Sequence, residues 1–281
     1  MIGEVQQRSF PITVVEPSRG LADFNLREIW EYRDLLFFLA WRDISIRYKQ
    51  TVLGASWAVV QPVMTMLLFT IFFGNLAGVP SEGVPYPLFA FAALLPWQYF
   101  ATTLGNAANS LVNNSNLLSK VYFPRVLIPL TSLFPPAIDL LIAFIVLLGL
   151  MLYYRLAPTL NFAWLPAFML LGLITTFGAG LWFAAMNVKY RDVRHIVTVL
   201  LQFGMFISPV AYPSRIVPAT WQPLYALNPM VGVIEGFRWA LLGLDTLPVR
   251  LVAISATTAL VLLVSGFFYF RYTEKTFADI I

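Results

Sequence analysis

Charged residues divide this chain into long uncharged stretches. Between Lys49 and Glu82 lie 32 residues without a charge, between Glu82 and Lys120 lie 37, and between Arg155 and Lys189 lie 33. Each stretch exceeds the roughly 20 residues that carry a helix across about 30 Å of hydrocarbon. Val126 to Tyr154 is a fourth, broken only by Asp139, and Ile196 to Ser214 and Leu251 to Phe270 supply 19 and 20 residues more. The pattern predicts an all-α integral membrane protein with six transmembrane helices.

Two further stretches have helical periodicity without the length to cross. Leu26, Ile29, Trp30, Leu36, Phe37, Ala40, Trp41 and Ile44 recur at three- and four-residue steps, with Arg27, Glu28, Glu31, Asp34, Arg42 and Asp43 mostly on the other side. This predicts an amphipathic interface helix in the inner headgroup layer, at the end of a cytoplasmic N-terminal arm (residues 1–50) that precedes a permease domain (51–281). Between the fifth and sixth spans, Pro209, Pro213, Pro218, Pro223 and Pro229 forbid one continuous helix. Asn228 suits a helix N-cap, Pro229 the first turn and Gly243 the stop, so a helix of about 14 residues is expected there. Tyr212 to Leu244 then reads as two short re-entrant helices in the outer leaflet. Glu235 and Arg238, three apart, share a face within reach of each other.

Composition agrees with this pattern: 59% of residues are hydrophobic and 11% charged. If both termini are cytoplasmic, 14 of the 18 Lys and Arg residues fall in cytoplasmic segments, leaving Arg155, Arg215, Arg238 and Arg250 outside. The basic excess therefore reports topology, not nucleic-acid binding. No apolar core adjoins the first charges, so a cleaved signal peptide is not expected.

Much chemistry lacks raw material. The chain has no Cys and one His, His195, which removes thiol catalysis, disulfides and the usual metal sites. No phosphate-cradling G-x-x-x-x-G-K-[ST] loop and no G-x-S-x-G elbow occurs. Asp139 is the one formal charge inside a span, suited either to a transport role or to a hydrogen-bonded carboxyl within the bundle. A secondary carrier would bring internal repeats and paired intramembrane charges, and an intramembrane enzyme would bring clustered acids or a nucleophile with its base. Gly74 and Gly78 form a G-x-x-x-G at a span end, a weak signal for helix dimerisation. Aromatic residues reach 16%; most suit interfacial belts, but their flat apolar faces also suit stacking on sugar rings.

Five blocks in order, "YKQTVLGASWAVVQP" (Tyr48 to Pro62), "LLSKVYFPRVLIPL", "MNVKYRDVRHI" (Met186 to Ile196), "SPVAYP" (Ser208 to Pro213) and "LNPMVGVIEGFRWALLG" (Leu227 to Gly243), resemble the type-2 ABC exporter permeases that move O-antigen, capsular polysaccharide or teichoic acid across the bacterial inner membrane. The resemblance implies a homodimer of six-span permeases with two copies of a separate nucleotide-binding subunit that holds ATP and Mg, and a lipid-linked polysaccharide passing at the dimer interface. It places Ser115 to Phe123 as a short cytoplasmic helix docking into the ATPase, with Leu117, Ser119, Lys120, Tyr122 and Phe123 on it and Arg125 just past the break at Pro124 as the coupling side chains. Arg42, Arg47, Lys49, Lys189, Arg191 and Arg194 become further candidate contacts. Trp57, Trp97, Tyr99, Phe100 and Trp182 are candidates for the polymer path, and Tyr212, Trp221, Glu235 and Arg238 for an outer gate. A drug or small-lipid exporter of the same permease class is the nearest alternative.

Overall fold

The computed structural model describes residues 26–49, 56–244, 246–275 and 277. The arm before Leu26, with Arg8 and Arg19, and the first residues of the first expected span lie outside them. Among the described residues all regular structure is helical. After the short α1 (Leu26–Glu31) and α2 (Arg33–Lys49), helix α3 (Trp57–Phe69) continues as a π-helix through Thr70–Leu76. The long α4 (Tyr86–Asn113) is followed by the one-turn α5 (Ser115–Leu118), then α6 (Leu127–Thr131) and α7 (Phe134–Tyr153). A 3-10 turn, Leu160–Trp164, leads into α8 (Leu165–Lys189), and α9 (Val193–Ile207) comes next. The chain closes with α10 (Gln222–Tyr225), α11 (Pro229–Leu242) and α12 (Val249–Glu274).

Among the described residues, five helical segments are long and apolar enough to cross a membrane: Trp57–Leu76, Tyr86–Asn113, Leu127–Tyr153, Leu160–Lys189 and Val249–Glu274. The fifth expected span, Ile196 to Ser214, is shorter than its sequence suggested. Helix α9 has 15 residues, about 22 Å, and stops at Ser208, whose ψ of 154° is extended. Pro209 explains the stop, because a proline ring disfavours helical backbone in the residue before it.

Packing sorts the spans into a core and a periphery. The apolar window of α4 is 78% buried and that of α8 56%, against 17% for α3 and 22% each for Leu127–Tyr153 and α12. Helix α4 touches α3, α7, α8, α9 and α11, while α8 also packs along α12. Small residues allow the closest approach. A Cβ added at Gly178 in α8 would stand 2.7 Å from the Leu263 backbone, and one at Gly266 in α12 would stand 2.5 Å from the Gly178 carbonyl oxygen. The Gly74/Gly78 pair has another use. Gly74 admits the Tyr86 ring within the same chain, and Gly78 turns the backbone with φ +63°.

Helix α11 lies where the sequence placed it. The Asn228 side chain accepts from the Met230 N–H at 3.0 Å, and Gly243 ends the helix at φ +66°. Its 14 residues reach about 21 Å, and twelve of them are buried among α4, α8 and α12. Tyr86 at the start of α4 donates to the Ala211 carbonyl at 2.6 Å, which puts the proline-rich segment at that end of the bundle. Asn114 and the loop after it mark the opposite end.

Candidate functional site

At the Asn114 end, Ser115–Phe123 is helical only over Ser115–Leu118 and then unwinds, a shorter helix than expected. β-branched Val121 and two aromatics lead into Pro124, which takes Phe123 out of helical backbone. Leu117 packs partly into a satellite cluster, Ser119 Oγ donates to the Asn116 carbonyl at 3.2 Å, and Phe123 is buried at 4% exposure. Lys120 is exposed, and Tyr122 is 64% exposed beside Val121 at 50%. Tyr122 and Phe123 therefore divide two tasks: one ring anchors the loop and the other is presented to solvent.

Arg125 is engaged inside the chain. Its backbone N–H donates to Glu274 Oε1 at 3.3 Å, its Nη1 to the Glu274 carbonyl at 2.5 Å, and its guanidinium sits 5.9 Å from the Phe277 ring centroid. Arg271 Nη1 meets the other Glu274 oxygen at 3.1 Å. The loop is thus tied to the end of α12. It is also tied to α2, because Arg42 Nη2 donates to Asn114 Oδ1 at 2.9 Å and to Asp43 Oδ1 at 2.8 Å. Of the other candidate contacts, Lys49, Arg191 and Arg194 are exposed, and Lys189 lies 5.3 Å from the centroid of the exposed Tyr190 ring.

Asp139 is a hydrogen-bonded carboxyl, one of the two arrangements that its place in a span suggested. Arg47 Nη2 approaches its Oδ2 at 2.5 Å, and the Tyr48 hydroxyl donates to its Oδ1 at 2.6 Å. Both partners come from α2, so the end of the N-terminal helix pair is fastened to α7. Burial, and then the carboxylate to which it donates, raise the Tyr48 hydroxyl above the usual phenol range and keep it a donor. These groups border a cavity between α2, α3, α4 and α7 that Trp57, Gln61, Gln98, Tyr99 and Thr102 also line. Helix α2 turns Leu39 and Ala40 into the protein and leaves Trp41, Phe37 and Phe38 outward, 58 to 71% exposed.

The aromatic candidates separate. Trp57 is exposed, while Trp97, Tyr99 and Phe100 are core residues, with Trp97 and Phe100 rings 5.5 Å apart. Trp182 stacks on Tyr269 at 4.3 Å and donates to Ser265 Oγ at 3.1 Å, so it fastens α8 to α12.

At the Tyr86 end, Arg238 is completely buried and 3.7 Å from Glu235 Oε1. Its Nε donates to the Phe89 carbonyl at 3.2 Å, Nη1 to that of Tyr212 at 3.1 Å and Nη2 to that of Val210 at 2.7 Å. The guanidinium also lies 3.5 Å over the Phe89 ring. Glu235 accepts from the Ser214 N–H at 2.9 Å. One ion pair on α11 therefore pins the proline-rich segment to α4. The Tyr212 hydroxyl caps α9 by donating toward the Phe206 and Ile207 carbonyls, at 3.1 and 3.0 Å, whereas Trp221 is 61% exposed. Nearby, burial and then Glu235 raise the Glu82 carboxyl, opposed by Arg215 at 3.0 Å.

Comparison with known proteins decides the family. Residues 34–242 match the model for the ABC-2 type transporter. The chain belongs to this family. It is 27% identical over 249 residues to the O-antigen export system permease protein RfbA of Klebsiella pneumoniae, covering 88% of this chain and 95% of that one. It is 32% identical over 216 residues to the RfbA permease of Myxococcus xanthus, covering 76% and 82%. The polysialic acid transport protein KpsM of Escherichia coli is 25% identical over 206 residues, covering 72% and 78%. In this ABC-2 type permease the matched region runs from α2 to the end of α11, so the loop, the Asp139 cavity and the Arg238 pair all lie inside it.

Two partnerships escaped sequence reasoning, Arg47 and Tyr48 with Asp139, and Arg125 with Glu274. Tyr48 and Asp139 stand 91 positions apart and Arg125 and Glu274 149, and no local pattern links them. A clue existed in Asp139 itself, since a carboxylate in a span demands a partner.

Proposed function

We propose that the chain is the permease subunit of an ATP-driven exporter that carries a lipid-linked polysaccharide across the bacterial inner membrane. The observation that carries this reading is the similarity to an O-antigen export permease along 88% of the chain. In this reading two copies form a homodimer, and each binds one copy of a separate ATPase that supplies the ATP and Mg chemistry. Both termini are cytoplasmic, α9 together with the residues after it makes the fifth of six spans, and α10 and α11 are re-entrant from the outer face. Residues 1–50 form the cytoplasmic arm and 51–281 the permease domain. The exposed Lys120 and Tyr122 supply a cation and an aromatic anchor for the ATPase, a chemistry that suits a binding hot spot. Lys49, Lys189, Arg191 and Arg194 add positive charge on the same side. The Asp139 cavity with Trp57 and Tyr99 belongs to the path, and the Glu235–Arg238 pair with Tyr212 and Trp221 to the outer gate.

The test is export itself. Deleting the gene is expected to remove polymer from the cell surface and leave it inside, and the wild-type gene to restore it. Purified permease is expected to hydrolyse ATP only with its partner subunit. Surface polymer that persists without the gene overturns the reading. A reporter active only in the periplasm and fused after Ile281 is expected to be silent; activity there overturns the six-span topology.

A further inference from the structure

We propose that one face of α4, formed by Gln98, Thr102, Asn106 and Asn113, is a hydrogen-bonding track for the hydroxyl groups of the exported glycan. The inference rests on the exporter reading above. At 100° per residue these four positions fall within an arc of about 80°, and at 1.5 Å per residue they extend over about 22 Å. The rest of this stretch of α4 is largely core: Trp97, Tyr99, Phe100, Leu104, Ala108 and Leu111 are buried. Gln98 and Thr102 are half-buried, and Asn106 and Asn113 exposed. The most central helix of the bundle thus turns these four polar side chains toward its less buried face, while Thr103 and Ser110 are buried.

Those side chains are unspent. Among the described residues none of the four makes a hydrogen bond within the chain. Asn109, on the same face, is different: its Nδ2 donates to the Gly105 carbonyl at 2.8 Å and its Oδ1 accepts from Asn187 of α8 at 3.3 Å. Lipid tails offer carboxamides nothing, so this face requires water, a polar cargo or another protein surface. A carboxamide carries two donors and an acceptor and meets a sugar hydroxyl in either sense. Because all four groups are neutral, each contact is weak and exchangeable, as a chain that must slide requires. Gly105, between Thr102 and Asn106, has no atom of the described residues within 4 Å of where a Cβ would stand, so among these residues nothing covers the middle of the track. At one end Gln98 and Thr102 enter the cavity shared with Trp57, Gln61, Tyr99 and Asp139. The other end reaches the loop that holds Tyr122. A second copy could also satisfy these amides by pairing across helices, and the experiment separates the two occupants.

The chain contains no cysteine, so single substitutions report cleanly. Asn106→Cys and Asn113→Cys are placed on the track and Ile145→Cys on the apolar surface of α7, where Ile145 is 68% exposed. Each full-length variant is expressed with its ATPase in the host and exposed to a small water-soluble maleimide, with polymer assembly either active or blocked. Both α4 thiols are expected to label when assembly is blocked and to be protected several-fold during export, while the Ile145→Cys thiol stays unlabelled. Thr102→Val combined with Asn106→Leu is expected to lower surface polymer about tenfold at equal membrane abundance, the loss of two hydrogen bonds of about 0.7 kcal/mol each. Thr102→Ser combined with Asn106→Gln is expected to keep it. Labelling that ignores the polymer, or disulfide-linked dimers of Asn106→Cys in place of labelling, overturns the track. A host that displays polymer without the gene overturns the exporter reading; a host that needs the gene while both α4 thiols ignore the polymer overturns the track alone.

Discussion

Arg238 and Arg47 each hold a carboxylate, yet they do so in opposite surroundings. The Arg238 side chain is 0% exposed and that of Glu235 5%, whereas Arg47 is 37% and Asp139 19% exposed. Arg238 spends its remaining donors on three carbonyls from two segments, so it acts as a fixed joint between α11, α4 and the proline-rich segment. Arg47 joins only α2 to α7, beside an open cavity. A desolvated charge that loses its partner costs far more than a half-solvated one, because water can replace only the second partner. The Tyr86 end of the bundle is therefore held by a desolvated joint, and the cavity beside the middle of α4 by a half-solvated pair.

The contrast is broken most directly at Arg238. Arg238→Ala leaves Glu235 buried and removes the guanidinium that donates to three carbonyls, and is expected to destabilise the permease by about 3–5 kcal/mol, read as a lower aggregation temperature in detergent. Glu235→Leu combined with Arg238→Met is expected to recover a large part of that loss. If Arg238→Ala melts like wild type, the outer joint is not a joint.

Two neighbouring rings sharpen the comparison at the other end. Phe123→Ala removes a buried ring and is expected to cost about 3 kcal/mol of stability. Tyr122→Ala is expected to leave the melting temperature unchanged and to weaken ATPase binding by about 2 kcal/mol, roughly thirtyfold in co-purification. Equal losses of stability for the two would mean that Tyr122 packs within the chain and presents nothing to a partner.

The smallest effect is expected at Arg47. Arg47→Ala should lower stability by no more than about 1 kcal/mol, since the pair is partly solvated and its Coulomb term screened. Its melting temperature should also depend less on salt than that of wild type. A loss as large as that of Arg238→Ala would erase the distinction between the two pairs.

How much of this was legible beforehand depends on the range of the interaction. The α11 cap at Asn228, its stop at Gly243 and the Glu235–Arg238 pair are decided within one or two turns, and all three stand as read. The end of α9 was misplaced because the hydrophobic run continues past Ser208 while Pro209 stops the helix; the cue was local, but apolar content masked it. The Ser115–Phe123 helix was drawn too long for a similar reason, with Pro124 shortening it from behind. Among the aromatics, type and spacing marked Trp97 and Phe100 as apolar and large, which is equally true of a path and of a core.

Composition and charge spacing by themselves determined that this chain is helical and membrane-embedded, because hydrocarbon admits only apolar segments whose backbone bonds are satisfied internally. They also determined that it carries no phosphate-cradling loop of its own, since that chemistry needs particular residues in a short run. Only the tertiary structure decided which span is central, which face of α4 stays polar and open, and that Asp139 belongs to Arg47 and Tyr48 while Arg125 belongs to Glu274. Those choices are made by packing and by pairing across 78 to 149 positions of chain. At such separations the energy depends on how helices meet, which no local pattern encodes.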